Sequence, residues 1–164
     1  MEKIFIQPMT AEAFAPFGTL IDFNRKPDFP INRGMCDRYH ALGHCVALGA
    51  DAKTIISLGR ARPYDLPLRL EMVERHPFGS QAFIPLDARP FLVIVAPNKE
   101  GIPGEPLAFK TEAKQGINYH LGTWHGVLTP FSEGADFLIV DREGQEHNTE
   151  EYFFDKPYLV CEAV

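Results

Sequence analysis

The chain has 164 residues, of which 45% are hydrophobic, and this predicts one domain with a packed core (1–164) rather than a disordered chain. Its net charge of −6 gives no electrostatic basis for binding nucleic acid or an anionic membrane. The N-terminal apolar run is too short for a secretory signal, and no run is long enough to span a membrane. The three cysteines form no CxxC pair. The sequence therefore predicts a cytoplasmic protein with reduced thiols and no structural disulfides.

One short helix is predicted near the start of the chain, at "TAEAF" (10–14). Thr10 can cap it, Glu12 lies in its first turn, and Pro16 with Gly18 ends it. Short apolar-rich segments follow at close spacing, separated by turn residues. They are KTIISL (53–58), LPLRLEMVE (66–74), QAFIPL (81–86), PFLVIVA (90–96), LAFKT (107–111), GINYHL (116–121), HGVLT (125–129) and DFLIVD (136–141). This rhythm predicts an all-β antiparallel sandwich or barrel, with a polar surface loop at 143–151.

The segment 66–76 carries an apolar row that ends in polar residues. Successive side chains of a strand point to opposite faces, so the alternation places Leu70 and Met72 on one inward face. Extending the alternation adds Glu74 and His76 to that face and turns Arg75 outward. A barrel lining that becomes polar at one end is typical of a small-ligand cavity. If the strand ended at residue 73 instead, the two polar residues would simply reach solvent.

Two motifs resemble those of the metal-binding cupins. The first lies in "ERHPFGSQAFIPL" (74–86), where the cupin pattern is His-x-His followed by Glu and then a strand. Here Glu74 stands at the first His position, His76 matches the second, and Gln81 replaces the Glu. The resemblance implies a cupin fold with an altered ligand set.

The second motif lies in "GINYHLGTWHGVL" (116–128). Gly116, Gly122 and His125 match the cupin pattern, and His120 stands where a proline is usual. For His120 a structural place in the turn and a part in substrate binding both stay open. The only tryptophan, Trp124, is expected to be a packing anchor rather than a platform for substrate.

A closer resemblance covers most of the chain. The strings that carry it are INRGMCDRYH (31–40), TIISLGRARP (54–63), LEMVERHPFGSQAFIP (70–85), QGINYHLGTWH (115–125) and DFLIVDR (136–142). They are similar to the ureidoglycolate lyase family of the cupins, also called ureidoglycolate hydrolases. The resemblance implies a double-stranded β-helix barrel, a homodimer, and cleavage of (S)-ureidoglycolate to glyoxylate and urea in allantoin breakdown. It also implies nickel as the cofactor.

That reaction is an elimination and needs a base for the hydroxyl proton, support for the departing urea nitrogen, and a partner for the substrate carboxylate. An imidazole exchanges protons near neutral pH, so His125 or His76 is expected to transfer the proton. Glu74 would act as the base or would orient an imidazole. Gln81 can both donate and accept, which suits recognition of the ureido amide.

The residue that binds the substrate carboxylate stays undecided among the arginines. Candidates for contact with substrate are Arg38 and Tyr39, in the family-like string "RYH", together with Arg60. Arg33, Arg62 and Arg75 are further candidates, the last disfavoured by its outward direction.

A divalent metal is the other open question. Glu74, His76, Gln81 and His125 could together bind one, with reduced affinity because an amide oxygen is a weaker ligand than a carboxylate. A different class of function is a cupin-fold module that binds or senses a small carboxylate without catalysis. A metal-dependent oxygenase is disfavoured because the usual ligand set is incomplete.

Overall fold

The protein is described by a computed structural model, which covers residues 1–131 and 133–163. The strands are β1 (Glu2–Phe5), β2 (Gln7–Pro8), β3 (Gly18–Ile21), β4 (Phe29–Ile31), β5 (Cys36–Arg38), β6 (Lys53–Ala61), β7 (Leu68–Arg75), β8 (Gln81–Pro85), β9 (Phe91–Ala96), β10 (Asn98–Lys99), β11 (Ile102–Pro103), β12 (Leu107–Lys110), β13 (Gly116–Tyr119), β14 (Trp124–His125), β15 (Thr129–Pro130), β16 (Ala135–Glu143) and β17 (Glu150–Cys161). A helix α1 (Ala11–Phe14) and a one-turn 3-10 helix (Asn32–Gly34) accompany them.

Two large sheets form the body of the protein. The eight-stranded sheet runs in the order β1-β17-β7-β14-β9-β12-β2, with β15 paired to β9. The five-stranded sheet runs in the order β3-β13-β8-β16-β6. Two small hairpins, β4–β5 and β10–β11, complete the pairing.

The N-terminal segment joins the two ends of the eight-stranded sheet. β1 pairs in parallel with β17, where Glu2 lies opposite Tyr158. A few residues later β2 pairs in parallel with β12, where Gln7 lies opposite Phe109. The sheet is thereby almost closed on itself, and the predicted all-β, cupin-type barrel is confirmed.

β9 is buried on both faces, which explains why 91–96 is an unbroken apolar run. Its odd-numbered residues pack between the two sheets, in an inter-sheet core formed by Met9, Phe14, Phe17, Phe83, Phe91, Val93, Val95, Phe109, Ile117, Tyr119, Ala135 and Phe137. Its even-numbered residues face a second core, formed by Ile4, Ile6, Leu70, Val73, Leu92, Ile94, Ala96, Ala108, Trp124 and Val160. Trp124 is therefore a packing residue, as the sequence predicts.

The predicted N-terminal helix is present. The Thr10 hydroxyl oxygen accepts a hydrogen bond from the backbone N–H of Ala13 at 3.1 Å, which caps the first turn. Phe14 is fully buried in the inter-sheet core, where its ring meets those of Phe109 and Tyr119. The helix thus covers one end of the inter-sheet core.

Alternation along β7 is broken, contrary to the sequence-based expectation of one continuous inward row. Leu70 and Val73 both lie in the second core although they are three positions apart, an odd spacing that regular alternation would place on opposite faces. The register between β7 and β17 shifts at this point, between Phe153 and Tyr158. As a result Leu70 and Val73 point into the second core, and Glu74, the next residue in the chain, points to the opposite face of the sheet.

Candidate active site

Three polar side chains meet where β7 and β14 pair. His125 lies directly opposite Glu74 in the antiparallel register, and His76 follows the end of β7. One ligand atom from each residue lies within 4.8 Å of the other two. His125 is 2% exposed, while the side chains of His76 and Glu74 are 15% and 22% exposed. Glu74 and His76, at the end of β7, are therefore mostly buried and do not simply reach solvent.

Backbone carbonyls fix the tautomers of both histidines. His76 Nδ1 lies 2.7 Å from the carbonyl oxygen of Asn148, and His125 Nδ1 lies 2.9 Å from that of Gly126. A carbonyl oxygen only accepts, so each Nδ1 carries a proton, and in the neutral form of either ring the lone pair is on Nε2. Both Nε2 atoms are buried, and neither has a hydrogen-bond partner among residues 1–131 and 133–163. The 3.9 Å from His76 Nε2 to Glu74 Oε1 is too long for a hydrogen bond.

A tyrosine that the sequence reasoning missed stacks on His125. The rings of Tyr119 and His125 lie 4.3 Å apart at 9°. Tyr119 ends β13 in one sheet and His125 lies on β14 in the other, so the turn between them brings the rings face to face. The alternation of Ile117 and Tyr119 in "GINYHL" was the signal in the sequence, because it places both side chains on one face of the strand. In the structure both belong to the inter-sheet core.

Burial sets the protonation of this pair. Burial lowers the pKa of His125 to about 3, with a smaller lowering from His76 and an opposing effect of the Gly126 carbonyl. Burial also raises the pKa of the Tyr119 hydroxyl, and the negative charge of Glu74 raises it further. His125 is therefore a neutral imidazole that offers a lone pair, a state better suited to ligation than to proton donation.

Two further polar side chains, Gln81 and Asp141, lie beyond Tyr119 on the neighbouring strands β8 and β16. Gln81 lies opposite Tyr119 in the register of β13 and β8. Its amide nitrogen donates to Asp141 Oδ2 at 3.2 Å. Asp141 is a second residue that the sequence reasoning did not single out, although it ends the apolar row of "DFLIVD" much as Glu74 follows the apolar residues of β7.

Among the described residues, the side chains of the other predicted candidates form no hydrogen bond or ion pair with the three-residue group, although the turn that contains His120 donates from Gly122 N–H to the His76 carbonyl at 3.0 Å. His120 is exposed in the turn after β13, where its backbone N–H donates to the Phe17 carbonyl at 2.9 Å. The side chain of Arg60 is 87% exposed and pairs with Asp136.

The hairpin candidates are also outside the group. Arg38 is exposed at the end of β5. Tyr39 is half-buried and its ring meets the edge of Phe23 at 4.9 Å. Neither side chain contacts the three-residue group in the described structure.

The end of β16 and the loop that follows it are anchored by hydrogen bonds, and the loop in turn contacts His76. The buried Arg142 donates to the Leu48 carbonyl at 2.6 Å and forms an ion pair with Glu146. Two residues later, the Asn148 side chain accepts from the Phe78 N–H at 2.7 Å while its carbonyl holds His76. Of the predicted surface loop 143–151, residues 144–149 form the connection between β16 and β17, whereas residue 143 ends β16 and residues 150–151 begin β17. This loop also has a structural contact to the site, through Asn148.

Comparison with known proteins shows the family of the chain. A family model described as ureidoglycolate lyase matches residues 1–161. The chain belongs to the ureidoglycolate lyase family. A ureidoglycolate lyase of Chelativorans sp. (strain BNC1) is 54% identical over 160 residues, which is 98% of this chain and 97% of that protein. One of Mesorhizobium japonicum is 55% identical over 98% of both chains. A protein of Rhizobium meliloti named ureidoglycolate lyase 2 is 52% identical over 94% of this chain and 95% of its own.

Proposed function

We propose that this chain is a ureidoglycolate lyase that converts (S)-ureidoglycolate into glyoxylate and urea. The observation that carries the proposal is the group of Glu74, His76 and His125, which places a carboxylate beside two buried imidazole lone pairs. Membership of the family supplies the substrate, and the resemblance assigns the reaction to allantoin breakdown. One domain, 1–164, would carry the whole activity.

The three-residue group fits a divalent metal. Two buried Nε2 atoms that have no partner in the described part of the chain lie next to a carboxylate, and this donor set of nitrogen and oxygen suits nickel and other divalent first-row ions. Three protein ligands would leave positions open for substrate oxygens. A bound ion would supply positive charge to the substrate carboxylate and hydroxyl oxygen. These donors support the nickel that the resemblance implies, with His76 and His125 as ligands through Nε2 and Glu74 through one carboxylate oxygen, which would leave its other oxygen for proton transfer. The amide of Gln81 bonds to Asp141 instead.

Glu74 is the group we assign to proton transfer. Its side chain is partly solvated, whereas His125 is neutral and deeply buried, and His76 is held by Asn148. A carboxylate oxygen takes the hydroxyl proton, the carbonyl of glyoxylate forms, and the carbon–nitrogen bond breaks. The same proton can then pass to the departing nitrogen to complete urea. Atoms balance without water, so the reaction is an elimination.

The test is release of glyoxylate from ureidoglycolate by the purified protein with Ni²⁺. We expect Glu74→Gln to lower kcat by roughly 100-fold or more, the usual scale for loss of a general base. The matched control is Glu71→Gln on the same strand, where the carboxylate is 60% exposed and pairs with Arg69. Wild-type release no faster than the spontaneous reaction would refute the proposal. Tight ligand binding without turnover would instead support a module that only binds a small carboxylate.

A homodimer is the assembly we propose. Ile56 and Leu58 on β6 are 74% and 73% exposed. They lie opposite Val140 and Leu138 of β16, so the outer face of this sheet presents an apolar patch at its open edge. A second copy of the chain that covers this patch would bury it.

Light scattering on the purified protein tests the assembly. Leu58→Lys should shift the mass from dimer to monomer, whereas Ile102→Lys, at an exposed position on the separate β10–β11 hairpin, should leave it unchanged. A wild-type monomer at micromolar concentration would refute the dimer.

We place the protein in the cytoplasm, in keeping with three free cysteines. None of the described helices has the length and apolar character needed to cross a membrane.

A further inference from the structure

Asp141 is a half-buried carboxylate on the inner face of β16. Phe137 and Ile139 alternate with outward residues on the same strand and pack in the inter-sheet core, so Asp141 continues their row. Among the described residues its carboxylate accepts one side-chain hydrogen bond, from Gln81, and no lysine or arginine nitrogen lies within 4.0 Å. A partly desolvated charge with one neutral partner has unused capacity to accept hydrogen bonds.

The position of Asp141 relative to the Glu74 group follows from contiguous contacts. Asp141 bonds to Gln81, Gln81 lies opposite Tyr119, and Tyr119 stacks on His125. The strands β16, β8 and β13 are consecutive neighbours in the five-stranded sheet. Two strand spacings, ~10 Å, therefore separate Asp141 from Tyr119 along the wall, and inward-pointing side chains shorten the gap across the interior.

We infer that Asp141 binds the ureido group of the substrate, an inference that rests on the proposed lyase function. The ureido end of ureidoglycolate is neutral and rich in N–H donors, and two parallel N–H groups match the two oxygens of a carboxylate. The other end carries the carboxylate and hydroxyl that the Glu74 group would hold. Gln81 positions the Asp141 carboxylate and adds its own amide oxygen as an acceptor. The site thus has a cationic end, once metal is bound, and an acceptor end.

Substitution of Asp141 by asparagine tests this assignment, because it keeps the size of the side chain and removes the charge. In the Ni²⁺-loaded protein, Asp141→Asn should raise KM for ureidoglycolate about 10- to 100-fold and change kcat less, the range expected when a charged hydrogen-bond partner is lost. The matched control is Asp136→Asn on the same strand, whose carboxylate pairs with the exposed Arg60. It should keep wild-type KM.

Calorimetry with two unreactive probes separates ligand recognition from a structural effect. N-carbamoylglycine carries the carboxylate and the ureido group but lacks the hydroxyl, whereas glycolate lacks the ureido group. Asp141→Asn should weaken binding of N-carbamoylglycine at least 10-fold and leave glycolate unchanged. Equal weakening of both probes, or of neither, would overturn the inference. Absence of turnover in the wild-type protein refutes the lyase function itself, whereas turnover that Asp141→Asn leaves unchanged refutes only the role of Asp141.

Discussion

The buried, neutral imidazole of His125 should make the metal-free protein sensitive to acid. Its pKa is about 3 in the folded chain against an ordinary value of 6.5. Below pH 6.5 the unfolded chain binds a proton that the folded chain refuses. The contribution of His125 to stability is therefore complete above pH 6.5 and is lost progressively as the pH falls toward 3.

The size of the loss follows from the two pKa values. Each pH unit between them removes about 1.4 kcal/mol from the free energy of unfolding. At pH 5, which is 1.5 units below the unfolded value, the loss due to His125 is ~2 kcal/mol. His125→Gln keeps a polar side chain and removes the titration. Between pH 7.5 and pH 5 the free energy of unfolding of this variant should therefore fall by ~2 kcal/mol less than that of the wild-type protein.

Urea denaturation of the metal-free protein at the two pH values measures the difference. Groups shared by the two proteins cancel, which leaves the effect of one imidazole. His147→Gln removes an exposed imidazole from the surface loop and should retain the wild-type loss. Equal losses in the wild-type and His125→Gln proteins would show that His125 is not held neutral by burial.

Three further predictions concern the core, a close backbone contact and the metal. Phe14→Ala should lower the free energy of unfolding by about 3–5 kcal/mol, because it empties a fully buried site among aromatic rings, and urea denaturation measures this. Gly18→Ala should cost about 1–3 kcal/mol in the same assay, because the new methyl group would meet the backbone carbonyl of Asn118; an unchanged midpoint would contradict the close approach. Ni²⁺ at 100 times its Kd should stabilise the wild-type protein by about 2.7 kcal/mol in thermal unfolding, whereas His76→Ala should show a much smaller shift at the same concentration.

The fold and part of the candidate site could be predicted from local pattern. Short apolar segments with turn residues between them sufficed for the all-β barrel, and the Thr10 cap sufficed for the helix. Glu74, His76 and His125 were singled out from two motifs, and the structure brings them together because β7 and β14 are neighbours. Their roles in catalysis remain predictions.

What the sequence did not reveal depends on long-range pairing. Alternation along β7 predicted Leu70 and Glu74 on one face, but a register shift opposite β17 separates them. No local pattern shows that the carbonyl of Asn148 reaches His76, because 72 residues separate the two. Nor does a local pattern show that Asp141 lies next to Gln81, because the two residues belong to different strands, β16 and β8.

The closure of the eight-stranded sheet by its first strand has a consequence for how the chain folds. β1 pairs with β17, a partner nearly the whole chain away, so this contact cannot form until the last strand has been synthesised. Its loop-closure entropy is among the largest in the molecule, which predicts that the second core seals late. Until then Ile4 and Ile6 have no place to pack, and the strands at both ends of the sheet stay open to other chains.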